Sequence, residues 1–259
     1  MEHQINIAVL FHDTFNLHGD YGNISALIRI AKLGNVNANV EYIDFSTKNF
    51  NPDDFDIIYC GPGEISYLET VKQWLEPKKE GIDKFINDGK ILLVTGTSLS
   101  LFGCTTFRTD GSIFTGLSVI NCNFKERDYV YGGDIYYKAK YNDIEMEIFG
   151  SQIRMIDRII DGADNINPFG NIIYGMGANE ETKTEGIIIN NSIFTNTLGP
   201  VLVLNPWLTK EIINVALKNS GSSHIIDNLD MTLEKNSLEA KKRFTLKNNP
   251  GCAIDIKTY

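Results

Sequence analysis

The chain has 259 residues, 24 basic against 33 acidic side chains for a net charge of −9, and 42% hydrophobic residues. That apolar content suits one sizeable globular unit and argues against a disordered or fibrous protein. The acidic balance argues against a phosphate-backbone partner, so no nucleic acid is expected.

No apolar run approaches the roughly 20 residues needed to cross a bilayer. Met1-Glu2-His3-Gln4 lacks the basic and apolar regions of a secretory signal, so a cytoplasmic protein is expected. Cys60, Cys104, Cys122 and Cys252 are irregularly spaced and form no C-x-x-C pair, which leaves reduced thiols as the expectation. His3, His12, His18 and His224 share no metal-ligand spacing, so neither a metal nor a cofactor is expected.

Ile5 to Phe11 is a continuous apolar run of the kind found in a parallel strand covered on both faces. Asn23 is placed to cap a helix carrying Ile24, Leu27, Ile28 and Ala31 on one side and ended by Gly34. Strands at Val40 to Phe45 and Asp56 to Tyr59 follow, the second entering the tight Gly61-Pro62-Gly63 loop. Helical stretches at Tyr67 to Leu75 and Ile82 to Asn87 lead to a strand at Ile91 to Val94. Strands alternating with helices predict an α/β fold with a doubly wound, mostly parallel sheet.

Beyond Gly103 the texture becomes β-branched and aromatic. Leu117 to Phe124, Tyr129 to Tyr141 and Ile144 to Phe149 read as an antiparallel section, followed by strands at Asn171 to Tyr174 and Gly186 to Thr195. A helix from Pro206 and a polar helix over Ser237 to Lys247 close the pattern, with a loosely held tail from Asn248 to Tyr259. The expected organisation is a single domain over 1–259, with a parallel α/β half at 1–104, a β-rich half at 105–200 and C-terminal helices at 201–259.

Several short motifs resemble the GatD-type glutamine amidotransferases, relatives of the cobyric acid synthase (CobB/CobQ-like) amidotransferase domain. They are Asn16-Leu17-His18-Gly19-Asp20-Tyr21-Gly22-Asn23-Ile24, Asp110-Gly111 through Gly116-Leu117, and Gly133-Asp134-Ile135. Tyr174-Gly175-Met176-Gly177-Ala178-Asn179 with Glu185-Gly186, and Leu198-Gly199-Pro200-Val201-Leu202 with Asn205-Pro206, complete the series. The resemblance implies a class I glutamine amidotransferase (flavodoxin-like) fold. It also implies a heterodimer with a Mur-ligase-like MurT subunit that amidates the glutamate of lipid II in peptidoglycan.

The departures fall where that family's chemistry sits. The turn after Ile91 to Val94 matches the family's nucleophile elbow, yet Gly96 stands at the cysteine position and Leu198 at that of the general-base histidine. Pro62 removes one N–H from the loop that forms part of the family's oxyanion hole. The family's N-H-G-G-R segment is replaced by Gln152 to Ile156. Its arginine before G-D-I falls on Val130, with Arg127 close enough for a shifted alignment to restore it.

Ser98 and Cys60 are the substitute nucleophiles these departures leave, with Thr97, Thr95 and Cys104 also near the turn. Ser98 and Ser100 serve as well to cap the helix start, and Cys60 as a buried inert thiol. Gly61, Gly63, Thr97, Ser98 and Arg127 are the expected binding residues. Asp20 with Asn23 reads as a ligand contact or as a turn plus cap, Trp207 as an interface anchor or as packing, and Lys241-Lys242-Arg243 as a solvated helix face or as a contact for an acidic partner surface. The resulting expectation is a catalytically degenerate amidotransferase-like subunit. An amide hydrolase with a different nucleophile and a small-molecule-binding module are the alternatives.

Overall fold

The computed structural model describes residues 3–160, 166–247 and 254–255. Its first half follows the apolar runs. Strand β1 (His3–Leu10) leads through a turn to helix α1 (Gly22–Leu33), then to β2 (Val36–Ile43) and β3 (Ile57–Cys60). Helices α2 (Leu68–Leu75) and α3 (Lys79–Asn87) precede β4 (Ile91–Thr95). A single tight turn at Gly96–Ser98 runs into the short helix α4 (Leu99–Phe102).

The second half contains β5 (Thr105–Phe107), β6 (Ile113–Thr115) and a long hairpin of β7 (Phe124–Tyr141) and β8 (Ile144–Arg158). Strands β9 (Gly170–Tyr174), β10 (Thr184–Glu185), β11 (Ile187–Ile189) and β12 (Ser192–Thr195) follow. Helices α5 (Val201–Leu204), α6 (Pro206–Asn219) and α7 (Thr232–Lys247) then precede β13 (Ile254–Asp255).

One sheet has the order β11-β12-β4-β3-β1-β2 and is parallel except for β11, which returns against β12 through the turn at Asn190 and Asn191. Its central strands are apolar throughout because both faces are covered. Ile5, Ile7 and Val9 face a core shared with α1 and α6, while Ala8 and Leu10 face one shared with α2 and α3. The second sheet is mainly antiparallel and is built on β7, whose Ile135 and Tyr137 join the first of those cores. The expected mostly parallel α/β fold with an antiparallel section is thus present. Among the described residues no helix is long and apolar enough to cross a membrane.

Three local readings change. Leu117 to Phe124 is a strand only from Phe124. The N–H groups of Leu117, Val119 and Ile120 instead meet the Leu101 and Phe102 carbonyls at 2.8–2.9 Å, satisfying the end of α4. Asn23 lies inside α1 and caps nothing there. Its buried amide accepts the Leu202 N–H at 2.8 Å, so it fixes the start of α5. Lys241 and Lys242 turn toward β8, the first over the Phe149 ring and the second to Glu147 at 2.8 Å, so only part of that face is solvated. Most of the tail from Asn248, with Cys252, lies outside the described residues. Trp207 packs against β8 and donates to the Glu147 carbonyl at 2.8 Å.

Candidate functional site

The turn after β4 has the backbone of a strained elbow, with φ of +62° at Gly96. Two neighbours close over it. A Cβ on Gly96 would lie 2.8 Å from Pro62 Cβ and 3.4 Å from Leu198 Cδ2. The first distance is below any ordinary carbon contact, and the positive φ adds strain for any side chain. Leu198 is 1% exposed and is pinned by a two-way backbone bridge to Ser151 at 2.7 and 3.1 Å. The positions that hold a thiol and an imidazole in the resembled family therefore meet here as an aliphatic plug.

The loop facing the turn is equally committed. Gly63 N–H donates to Thr97 Oγ1 at 3.1 Å, and that hydroxyl donates back to the Gly63 carbonyl. Pro62 has no N–H. Ser98 is fully buried and its hydroxyl donates to the Gly61 carbonyl at 2.5 Å. Cys60 is fully buried, and burial pushes its thiol up to about 12. Cys104 lies apart, its Sγ 3.6 Å from the Ile120 carbonyl. Ser100 donates to the Thr97 carbonyl at 2.8 Å.

Beneath the turn is a buried polar network. Thr95 donates to Asp20 Oδ2 at 2.6 Å, Tyr59 donates to the same oxygen, and Asn23 donates to the Tyr59 hydroxyl at 3.0 Å. Burial raises the Asp20 carboxyl to about 6 against the opposing pull of these hydrogen bonds, and its Oδ1 has no partner. This network ties α1, β3 and β4 together, so Asp20 and Asn23 serve the scaffold around the elbow.

A cleft of about 330 Å³ lies beside the plug. Of the expected binding residues, Gly63 and Thr97 line it, whereas Gly61, Ser98 and Arg127 do not. Among the described residues its titratable lining groups are His18, Glu64 and Glu126, with neither lysine nor arginine. Sequence reasoning missed the two carboxylates, and missed Ile153 and Met155 from the strand that replaces the family's N-H-G-G-R segment. Their alternation with the buried Gln152 and Arg154 was the available signal.

Arg127 is displaced by the backbone. Glu126 opposes Ile156 and Tyr131 opposes Arg154, so β7 advances five residues while β8 covers two, leaving three extra residues in a bulge. That bulge carries Arg127 into a different cleft, where it pairs with Asp157 and Glu180. Among the described residues no group of three or more His, Cys, Asp or Glu side chains could hold a metal.

No known protein-family profile matches the chain. It is 29% identical over 225 residues to the lipid II isoglutaminyl synthase (glutamine-hydrolyzing) subunit GatD of Streptococcus pneumoniae, covering 86% of this chain and 84% of the relative. It is 27% identical over 219 residues to the Staphylococcus aureus protein of the same name, covering 85% and 87%. A solved glutamine amidotransferase superposes on 81% of this chain and 98% of its own with a TM-score of 0.52 at 12% identity, a likeness of fold. The resemblance carried by the sequence motifs thus extends over most of the chain.

Proposed function

We propose that this chain, a relative of the GatD-type glutamine amidotransferases, is an amidotransferase-family subunit that has lost glutaminase chemistry and pairs with a Mur-ligase-like amide ligase of the MurT type. The observation that carries this reading is the plug at the elbow. A glutaminase of this family forms a thioester to glutamine, which needs a thiolate at the turn and a base to move its proton. Gly96 and Leu198 supply neither, and Pro62 occupies the space a side chain at 96 would need.

The surroundings support the same reading. The Ser98 hydroxyl is engaged with a carbonyl, and the Cys60 thiol is held protonated by burial. Gly63 N–H is satisfied by Thr97, so it is not free to stabilise an oxyanion. The adjacent cleft offers carboxylates where the α-carboxylate of glutamine would need a cation.

The partner ligase would activate a carboxylate, by family analogy the glutamate of lipid II, and take free ammonia or another amine. Co-expression with a Mur-ligase-like protein and co-purification on a tag test the pairing, with a stable one-to-one complex expected. Glutamate release from glutamine by that complex, above a no-protein blank, would refute the loss of glutaminase chemistry. Failure to co-purify would refute the pairing alone.

A further inference from the structure

A second cleft, of about 790 Å³, opens between the start of β7, the end of β8 and the Asn179–Glu181 loop. Its size suits a small-molecule ligand. Two arginines in its lining are nearly buried, Arg127 at 8% and Arg158 at 7% exposure. Their situations differ. Arg127 is held through Nη1 and Nη2 by Asp157, Glu180 and the Tyr129 hydroxyl, leaving only its Nε unpartnered, whereas Arg158 Nε and Nη1 both reach no acceptor among the described residues.

Unpartnered guanidinium donors at this depth are costly unless something enters to meet them. Among the described residues the acids lining the inner wall are already engaged. Glu126 accepts the Thr109 N–H at 3.1 Å, Asp157 accepts from Arg127 and Arg154, and Glu180 accepts from Arg127 and Tyr129. The buried Glu185 accepts from Thr195 and Asn196 at 2.9 and 2.7 Å through Oε1; its Oε2 has no hydrogen-bond partner among the described residues, and its charge acts on both Arg154 and Arg158 without a hydrogen bond to Arg158. Asp128 and Glu181 are exposed, as is Lys125 on the same wall, and Arg108 completes the basic lining. Phe107, 44% exposed, and Tyr129 add aromatic surface to that wall.

We infer that this cleft binds a small oxyanion-bearing molecule, a phosphate or carboxylate, with Arg158 as its buried anchor and Lys125 and Arg108 as outer contacts. Guanidinium donors match both oxyanions in geometry and charge. The site is independent of the chemistry lost at the elbow.

The test uses the full chain at low ionic strength, with pyrophosphate and citrate as probes and spermidine as the opposite-charge control, read by thermal melting and calorimetry. One of the two anions is expected to raise the melting temperature saturably. Arg158→Gln is expected to lower its affinity about tenfold or more. Lys125→Ala, at an exposed position, weakens binding without disturbing the fold and so carries the test even if Arg158→Gln fails to fold. A stronger response to pyrophosphate identifies a phosphate site and a stronger response to citrate a carboxylate site. No saturable shift, an equal shift in wild type and Lys125→Ala, or a larger shift with spermidine would overturn the inference.

Discussion

The two sides of Gly96 differ in chemical character. In front of the turn, Pro62 and Leu198 present carbon to the space a side chain at Gly96 would need, and neither supplies a nucleophile or a base. Behind it, Asp20, Tyr59, Thr95 and Asn23 form a polar network with Asp20 at 1% exposure and Thr95 and Asn23 at 0%. The side that holds the elbow in shape is elaborate, and the side that would present chemistry is filled. The packing that holds the turn is thereby separable from what the turn carries.

One large expected effect comes from trying to refit the front. Gly96→Cys places a Cβ 2.8 Å from Pro62 Cβ at a positive φ, and a loss of about 1–3 kcal/mol is expected on thermal or urea melting. Adding Pro62→Gly should recover part of that loss. Glutaminase activity is not expected from either variant, since Leu198 still supplies no base. Wild-type stability in Gly96→Cys alone would show that the plug is loose.

The network behind the turn breaks more gradually. Tyr59→Phe removes the hydroxyl that donates to Asp20 and accepts from Asn23, leaving buried polar atoms unmatched at a cost of about 1–3 kcal/mol. Urea denaturation measures this directly.

Asp20 adds a pH dependence with a definite sign. Its carboxyl titrates near 6 when folded and at about 3.9 when unfolded, so the folded chain keeps a proton that the unfolded chain releases between those values. The stability this confers is complete below the unfolded value and is lost as pH rises through about 6, amounting to about 3 kcal/mol. Asp20→Asn should flatten that part of the profile and melt above wild type at pH 7.5. A wild-type profile that rises between pH 4 and 6 in step with Asp20 would reverse the assignment. The smallest effect is at the surface, where Lys242→Ala breaks the 2.8 Å pairs to Glu147 and Glu239 and should cost about 1 kcal/mol or less.

The same division governs what the sequence makes legible. Ile91 to Val94 reads as a buried strand because its apolar run is continuous, and Gly96 stands out because it interrupts a known pattern of residues. Strands β5 and β6 do not read as strands, being three residues each and partly polar. Leu117 to Ile120 misleads because its side chains are those of a strand while its N–H groups are taken by α4. That Gly96 and Leu198 are neither thiol nor imidazole is visible residue by residue. The contact of Pro62 with Gly96 joins loops 34 positions apart and appears only in three dimensions, as does the bulge that moves Arg127 away from the elbow.

Intact-mass analysis after incubation with a diazoketone analogue of glutamine, with and without the partner ligase, addresses the emptied elbow most directly. The account predicts an unchanged mass in both conditions. A covalent adduct mapped to Ser98, Cys60 or any residue lining the adjacent cleft would contradict it.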